Sequence, residues 1–330
     1  MARIDDVARL AGVSTATVSR ALRGLPTVSA DTRGRVLAAA SQLGYTASPF
    51  ASRLAGGRSG AVAVVVPRVT RWLFAAVVQA AGTALHEAGH DLLLYTTRDA
   101  GPADHRPLPV TGPHRLVDGV LLVAAPPSDD VVAAAGSGLP GVTVGSGPAM
   151  PGWPVVGVDE AAAVRTATEH LLSLGHRRIG YLAGPAGDRR RGFLAALSAA
   201  GPGADPELMV GGEDTLDGGA DAAARLLRRR PTALVAECDE MAMGAMLVLR
   251  RAGLRVPEDV SVVGIDGHEL GPAVGLSTVA QPAAEQGRRA AAALLAPLRG
   301  HFVEAAAAVI LPTHLVVRAS TGPVPGTIER

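Results

Sequence analysis

From residue 61 onward the chain alternates short runs of Val, Leu and Ile with Ala-rich stretches of helical periodicity, and this alternation restricts the fold more than any other feature. The runs occupy residues 61–66, 91–95, 119–123, 142–144, 179–183, 233–236 and 260–265; the intervening stretches include 75–88, 161–174 and 241–252. Continuous apolar strands separated by helices form parallel sheets covered on both faces. Nearly 270 residues of this pattern exceed what one sheet usually needs, so two α/β lobes with a cleft between them are expected. One connection breaks the rhythm: residues 96–116 contain Pro102, Pro107, Pro109 and Pro113, and a proline inside a helix costs about 3 kcal/mol, so a loop is expected there.

The first 60 residues differ in texture and in charge. They hold eight Arg against three Asp, a balance of +5, whereas the remaining 23 Arg face 27 acids, a balance of −4. The net charge of +1 therefore conceals a basic N-terminal piece on a mildly acidic body, the footprint of a nucleic-acid binder. Three short helices fit its first 45 residues. Ile4, Val7, Ala8 and Ala11 recur at helical spacing until Gly12. Ser14 is placed to cap a second helix whose inward stripe is Val18, Ala21 and Leu22 and whose outward stripe is Ala16, Ser19, Arg20 and Arg23. Ser29 is placed to cap a third, with Arg33, Val36, Leu37, Ala40 and Leu43 at its buried and flanking positions.

A basic helix, turn, helix lays its second helix in the major groove, with the N-terminal residues toward base edges. Thr15, Ala16 and Arg20 are the base-contact candidates. Arg20 can grip a guanine bidentately, and Ala16 and the Thr15 methyl can meet a thymine methyl. Ser14, Thr17, Ser19 and Ser29 are short hydroxyls suited to phosphate contacts.

Several chemistries are excluded or disfavoured. All 31 basic residues are Arg; without Lys there is neither a P-loop lysine nor a Schiff-base nucleophile. The single cysteine, Cys238, forms no disulfide within the chain and no multi-cysteine metal site, and with no second thiol or cationic neighbour evident it gives no sign of a redox sensor. His86-Glu87-Ala88-Gly89-His90 fits a zinc-protease spacing, but Gly89 stands where the helix should end, so metal binding is not expected. No catalytic constellation is present, no cofactor or metal is expected, and no apolar run reaches a membrane span. A cytoplasmic, nucleoid-associated protein that is not an enzyme follows.

Residues 6–22 (DVARLAGVSTATVSRAL) resemble the DNA-binding signature of the lactose-repressor-like LacI/GalR transcriptional regulators. The likeness continues through Leu43-Gly44-Tyr45, Asp118-Gly119-Val120, residues 174–179 (LGHRRI), residues 253–264 (GLRVPEDVSVVG) and residues 315–320 (LVVRAS). The resemblance implies a helix-turn-helix domain (1–46), a hinge helix and linker (47–59), and a two-lobed core like periplasmic binding proteins (60–330). The first lobe would span about 60–158 and 283–317, the second about 159–282 and 318–330. It further implies a homodimer on a near-palindromic DNA operator, with Ser48 capping the hinge helix, Ala51 within it and Leu54 wedged into the minor groove. No heptad tail follows the last core strand, so a dimer rather than a tail-mediated tetramer is expected.

Ligands in open α/β sheets sit beyond the C-terminal ends of strands, which singles out Pro67-Arg68, Gly184, Glu237-Cys238-Asp239 and Asp266. The resemblance adds Arg189 as the effector-gripping arginine and makes Asp266 the polar-contact carboxylate. It places Cys238 where an Asn usually bonds the ligand, Gly267 where a second Asp is common, and Arg71-Trp72-Leu73-Phe74 in place of an Asn-Pro-Phe-Phe-like run. Trp72 or Phe74 is expected either to stack on a sugar ring or to pack within its lobe. The expected function is that of a sequence-specific transcriptional regulator, a repressor, controlled by a carbohydrate-like effector. The alternative is a cytoplasmic solute-binding sensor without DNA recognition.

Overall fold

The computed structural model describes residues 2–45, 59–97, 116–147, 149–184, 187–201, 203, 205–301 and 308–324. The chain forms two compact units, one built around its first 61 residues and the other around the remainder. The expected hinge, with Ser48, Ala51 and Leu54, lies outside the described residues, as does most of the proline-rich connection after Thr97.

In the first unit, α1 (Ile4–Ala11), α2 (Thr15–Leu22) and α3 (Ala30–Gln42) follow the expected periodicity. Val7, Ala8, Ala11, Val18, Ala21, Val36, Ala39 and Ala40 form one apolar cluster. Gly12 ends α1 at φ 64°, a left-handed conformation that glycine adopts without steric cost. Ser14 and Ser29 accept from the Thr17 and Thr32 backbone N–H groups at 3.2 and 3.3 Å, satisfying donors that a helix start leaves open. Leu37 departs from expectation: it is exposed on α3, and the next helical turn buries Ala39 and Ala40 instead.

The second unit contains two six-stranded sheets. The first runs β11-β5-β4-β3-β1-β2, with β1 (Ala61–Val66), β2 (Asp91–Thr96), β3 (Gly119–Val123), β4 (Gly141–Val144), β5 (Val155–Val158) and β11 (Val309–Leu311). The second runs β12-β10-β9-β8-β6-β7, with β6 (Ile179–Ala183), β7 (Met209–Gly211), β8 (Ala233–Ala236), β9 (Ser261–Asp266), β10 (Ser277–Ala280) and β12 (His314–Val316). Both sheets are parallel-dominated; β12 runs antiparallel to β10.

Helices cover these sheets as the patterning requires. In the first lobe α4 (Trp72–Glu87) packs with α11 (Ala283–Leu298) over Val62, Val64, Leu121 and Val142. In the second, Leu182, Leu234, Ala236 and Val262 face α8 (Leu216–Leu227) and α9 (Asp239–Arg251). The alternate residues Tyr181, Val235, Val263 and Ile265 face α6 (Glu160–Ser173) and α7 (Gly187–Ala199), the two-residue period of a sheet buried on both sides.

The chain passes between lobes three times. The first two passages come after Val158 and before Ala283. The third comes before β12: residues 314–316, expected in the first lobe up to residue 317, pair with β10 of the second lobe. The turn comes earlier because β11 ends at Leu311 and Pro312 follows, a residue that donates no hydrogen bond to continue the ladder.

Several of the motif blocks prove to be stitching. Asp118 accepts from the Ser59 and Gly60 backbone N–H groups, each at 2.8 Å. His176 is wholly buried, bonded to Thr232 Oγ1, Ser261 Oγ and the Gly322 carbonyl, and burial pushes its pKa down. Ser320 Oγ donates to the Val262 carbonyl at 2.6 Å and accepts from the Ser277 N–H at 2.8 Å. The Asp118 bonds tie the entries to β1 and β3 of the first sheet together, and those of His176 and Ser320 hold loops and the final segment to the second sheet.

Candidate functional site

On α2, Thr15, Ala16 and Arg20 are exposed while Val18 and Ala21 face the core, so the three expected base-contact residues share the outward face. The Arg20 guanidinium makes no hydrogen bond or ion pair with any described residue and is open to a partner. Of the hydroxyls expected at phosphates, Ser14 and Ser29 are exposed, and Thr17 and Ser19 are half-buried. Ser29 donates its proton to Thr32 Oγ1 at 3.0 Å, and Ser14 and Thr17 share a 2.9 Å bond, so in this state these groups first serve the caps.

The second candidate site lies between the two lobes of the core. Arg189 projects from α7, which approaches α6 closely at Gly192; a Cβ there would stand 2.1 Å from the Ala161 carbonyl oxygen, so only glycine fits. That approach brings Arg189 Nε to Glu160 at 2.6 Å and Nη2 to Asp266 at 2.9 Å, while Nη1 donates to the Glu237 carbonyl. Burial disfavours the Arg189 cation, but Asp266 and Glu160 more than restore it and hold it charged.

Asp266 ends β9 at φ 114°, a region that side chains rarely adopt. The conformation persists because both carboxylate oxygens are held: Oδ1 accepts from Arg189 and, at 2.8 Å, from Gln281 Nε2; Oδ2 accepts from Arg71 Nη2 at 2.8 Å. Gly267, where the resemblance led one to look for an Asp, has φ 81° and would place a Cβ 2.7 Å from that of Ala280. Both conditions require glycine.

Arg71 is the participant that the sequence reading missed. Besides Asp266 it pairs with Asp214 at 3.3 Å, and its guanidinium lies 4.8 Å from the centre of the Phe74 ring. Burial disfavours its charge, and Asp266 beside it reverses the effect and holds its pKa above the usual value. Next to it, the Trp72 N–H donates to Glu240 at 3.2 Å and the Trp72 ring packs 5.1 Å from that of His268. Arg68 reaches Glu213 at 3.4 Å. Three first-lobe residues thus bridge to second-lobe acids.

A small pocket of about 20 Å³ lies here, lined by Arg71, Phe74, Ser146, Glu160, Arg189 and Gln286 among others. Phe74 and Arg189 of the expected effector residues line it, and Asp266 stands directly behind, bonded to both arginines. Trp72 is turned to His268 and Cys238 is fully enclosed; neither lines the pocket. Burial raises the Cys238 pKa well above the usual value, so it stays a thiol, although Arg71 supplies the cationic neighbour not evident in the sequence.

Asp239 completes the second-lobe wall. Its Oδ2 accepts from the Gly267 and His268 N–H groups at 2.9 and 2.6 Å, and its Oδ1 from Thr278 Oγ1 at 2.7 Å. Burial and the nearby Asp266 nevertheless push its pKa up to about 7. A carboxyl whose folded pKa exceeds its unfolded value binds more protons when folded, so its contribution to stability falls as pH rises from about 4 to about 7. Asp239→Asn, which keeps a neutral side chain of the same shape, is expected to remove that component. Melting temperatures of the two proteins should differ more in the variant's favour at pH 7.5 than at pH 4.5; a constant difference contradicts the assignment.

His86 lies in α4, which ends at Glu87, and Gly89 turns at φ 78°, so His90 falls beyond the helix that a zinc-protease pair requires. Among the described residues no group of three or more His, Cys, Asp or Glu is arranged to hold a metal. No helix among them is long and apolar enough to cross a membrane.

Known proteins resemble this chain along nearly its whole length. Residues 3–48 match the profile described as bacterial regulatory proteins, lacI family, and residues 168–321 match a periplasmic binding protein-like domain. The HTH-type transcriptional regulator MalR of Streptomyces coelicolor is 36% identical, the match covering 98% of each chain. A transcriptional regulator CelR–cellobiose complex is similar in structure, with TM-score 0.72 and 34% identity over 97% of this chain and 100% of the other. So is a lac repressor dimer bound to operator and the anti-inducer ONPF, with TM-score 0.77 and 28% identity over 97% and 99%. A basic helix-turn-helix unit followed by a two-lobed α/β core, matched along nearly its whole length by such regulators, makes this chain a member of the lacI family of DNA-binding transcriptional regulators.

Proposed function

We propose that the protein is a repressor that binds a near-palindromic operator as a homodimer and is released or retained by a small carbohydrate-class effector in the interlobe cleft. Thr15, Ala16 and Arg20 read base edges; Ser14, Thr17, Ser19 and Ser29 set the register on phosphates; Ser48, Ala51 and Leu54 serve at the minor groove. Arg189 and Asp266 hold the effector, with Phe74 against it, while Trp72 and Cys238 act from outside the pocket lining. The protein works in the cytoplasm, at the nucleoid, by binding alone and without turning its effector over. The observation that carries this reading is the presence in one chain of an unengaged Arg20 guanidinium on the outward face of α2 and a buried Arg189–Asp266 pair behind a small pocket between the lobes of the core.

Ligand occupancy changes operator affinity only by as much as the ligand distinguishes the two states of the core, and the linkage is reciprocal. Footprinting of the full-length protein on its own upstream DNA, with sedimentation of the complex, tests the proposal. A protected two-fold site carrying two chains is the expected result. Protection without two-fold symmetry, or no protection at all, favours a solute sensor without DNA recognition.

A further inference from the structure

The ionic links across the cleft come from one short stretch of the first lobe. Between β1 and α4, Arg68 reaches Glu213, and Arg71 reaches Asp214 at 3.3 Å and Asp266 at 2.8 Å. At the start of α4 the Trp72 N–H donates to Glu240 while its ring packs on His268. Arg71 is the centre of this strap. Phe74, one turn along in the same lobe, faces its guanidinium, and the side chain is 9% exposed, against 11% for Asp214 and 1% for Asp266. A planar fork with an aromatic ring on one side and a carboxylate on each terminal nitrogen is preorganised, so little side-chain entropy opposes the contact.

The strap fills the place where a ligand would sit. Ligands of open α/β sheets lie beyond the C-terminal ends of strands; Asp266 is the last residue of β9, and Arg71 follows the end of β1. Beside the guanidinium about 20 Å³ is left, room for about one water, so the space between the lobes is taken by the protein's own cation. The second-lobe wall requires that cation. Asp214 and Glu237 crowd the same point beside Gly184, Asp239 lies close enough to Asp266 for their charges to repel, and Arg189 is already committed to Glu160 and Asp266. With Arg71 withdrawn and the lobes still together, these carboxylates are buried with one cation fewer, which is costly; with the lobes parted, water reaches them and the cost falls. Loss of Arg71 therefore opens the cleft, whereas Arg189, whose partners all lie in one lobe, has no such escape.

We propose that Arg71 is a built-in clasp that occupies the cleft in place of a ligand and holds the lobes closed. The closed core is then the resting state of this chain, and an effector larger than a water must part the lobes to enter. That consequence rests on the cleft being the effector site; the clasp itself does not.

The full-length protein carries its own reporter. Of its two tryptophans, Trp72 rides on the strap against His268, and Trp153 is buried within the first lobe, its Nε1 donating to the Leu139 carbonyl. Acrylamide quenching with no ligand added thus follows the strap through Trp72, and small-angle scattering on the same samples follows the separation of the lobes. Breaking a buried ion pair moves a two-state equilibrium by about tenfold or more, so Arg71→Ala should raise the quenching constant about twofold or more and enlarge the radius of gyration. Asp214→Asn, which removes one of the two pairs and leaves Asp266 and Arg189 in place, should do the same to a smaller extent. Arg71→Lys keeps the charge but gives up the fork; it should fall between wild type and Arg71→Ala, and it carries the test if Arg71→Ala does not fold. Quenching equal in wild type and variants, or raised with no change in radius of gyration, overturns the clasp. Operator anisotropy separates this from the proposed function: variants that open but bind operator as wild type does leave the clasp standing and remove the link from cleft to DNA.

Discussion

Arg189→Ala is expected to destabilise the core by about 3–5 kcal/mol, because it strands the buried Glu160 carboxylate and removes one of the two cations that Asp266 holds. Glu160 and Asp266 are each less than a tenth exposed, and Arg189 makes ion pairs to both along with a bond to the Glu237 carbonyl. The pair as such is not the source of this cost: replacing a buried ion pair by apolar groups is often neutral, whereas removing one partner strands the other. Adding Glu160→Gln to Arg189→Ala is therefore expected to recover part of the loss, since one stranded charge is then neutral. Denaturant titration of the wild type, both single variants and the double variant measures this directly. A loss below about 1 kcal/mol in Arg189→Ala would mean that the cluster does not hold the core together. Effector response should stay absent in the double variant even where stability returns, which separates the two roles of Arg189.

The second large effect falls on DNA. Arg20→Ala should weaken operator binding by about 1–3 kcal/mol, roughly 5- to 150-fold, and should relax discrimination at one base pair of each half-site. Its exposed and unengaged guanidinium, one helical turn beyond Ala16, argues for a base edge rather than an intramolecular partner. Competition titrations over operators altered one base pair at a time provide the check. A loss that is equal on every sequence, accompanied by a shallower salt dependence, would make Arg20 a phosphate contact instead. The melting temperature should not change, since the substitution removes no described contact.

Much of this architecture is written locally. The strands at 61–66, 119–123, 179–183 and 233–236 are legible to the residue, because each is a short apolar run bounded by a turn. β10 is not, because Ser277 and Thr278 are polar yet fully buried, bonded to Arg318 and Asp239 far away in sequence. β12 is misassigned for a related reason: three residues carry no mark of which sheet they join. At the site, Arg189 and Asp266 are legible through the family resemblance, and the helix-turn-helix face through its stripe. Arg71 is visible only as a departure from the family pattern. Its partners lie 143 and 195 residues away, and no periodicity reports a contact of that kind. Cys238 shows the converse: its position draws attention in the sequence, but burial leaves it an enclosed thiol.

The central claim is that occupancy of the interlobe cleft and binding of DNA by the N-terminal unit are thermodynamically linked. It is tested most directly by measuring one cycle from both sides: operator affinity with and without saturating effector, and effector affinity with and without saturating operator. The account predicts that both pairs change by the same factor, and that Arg189→Ala/Glu160→Gln abolishes the change while operator binding remains. Effector that binds with identical affinity to the free protein and to the operator complex would contradict it.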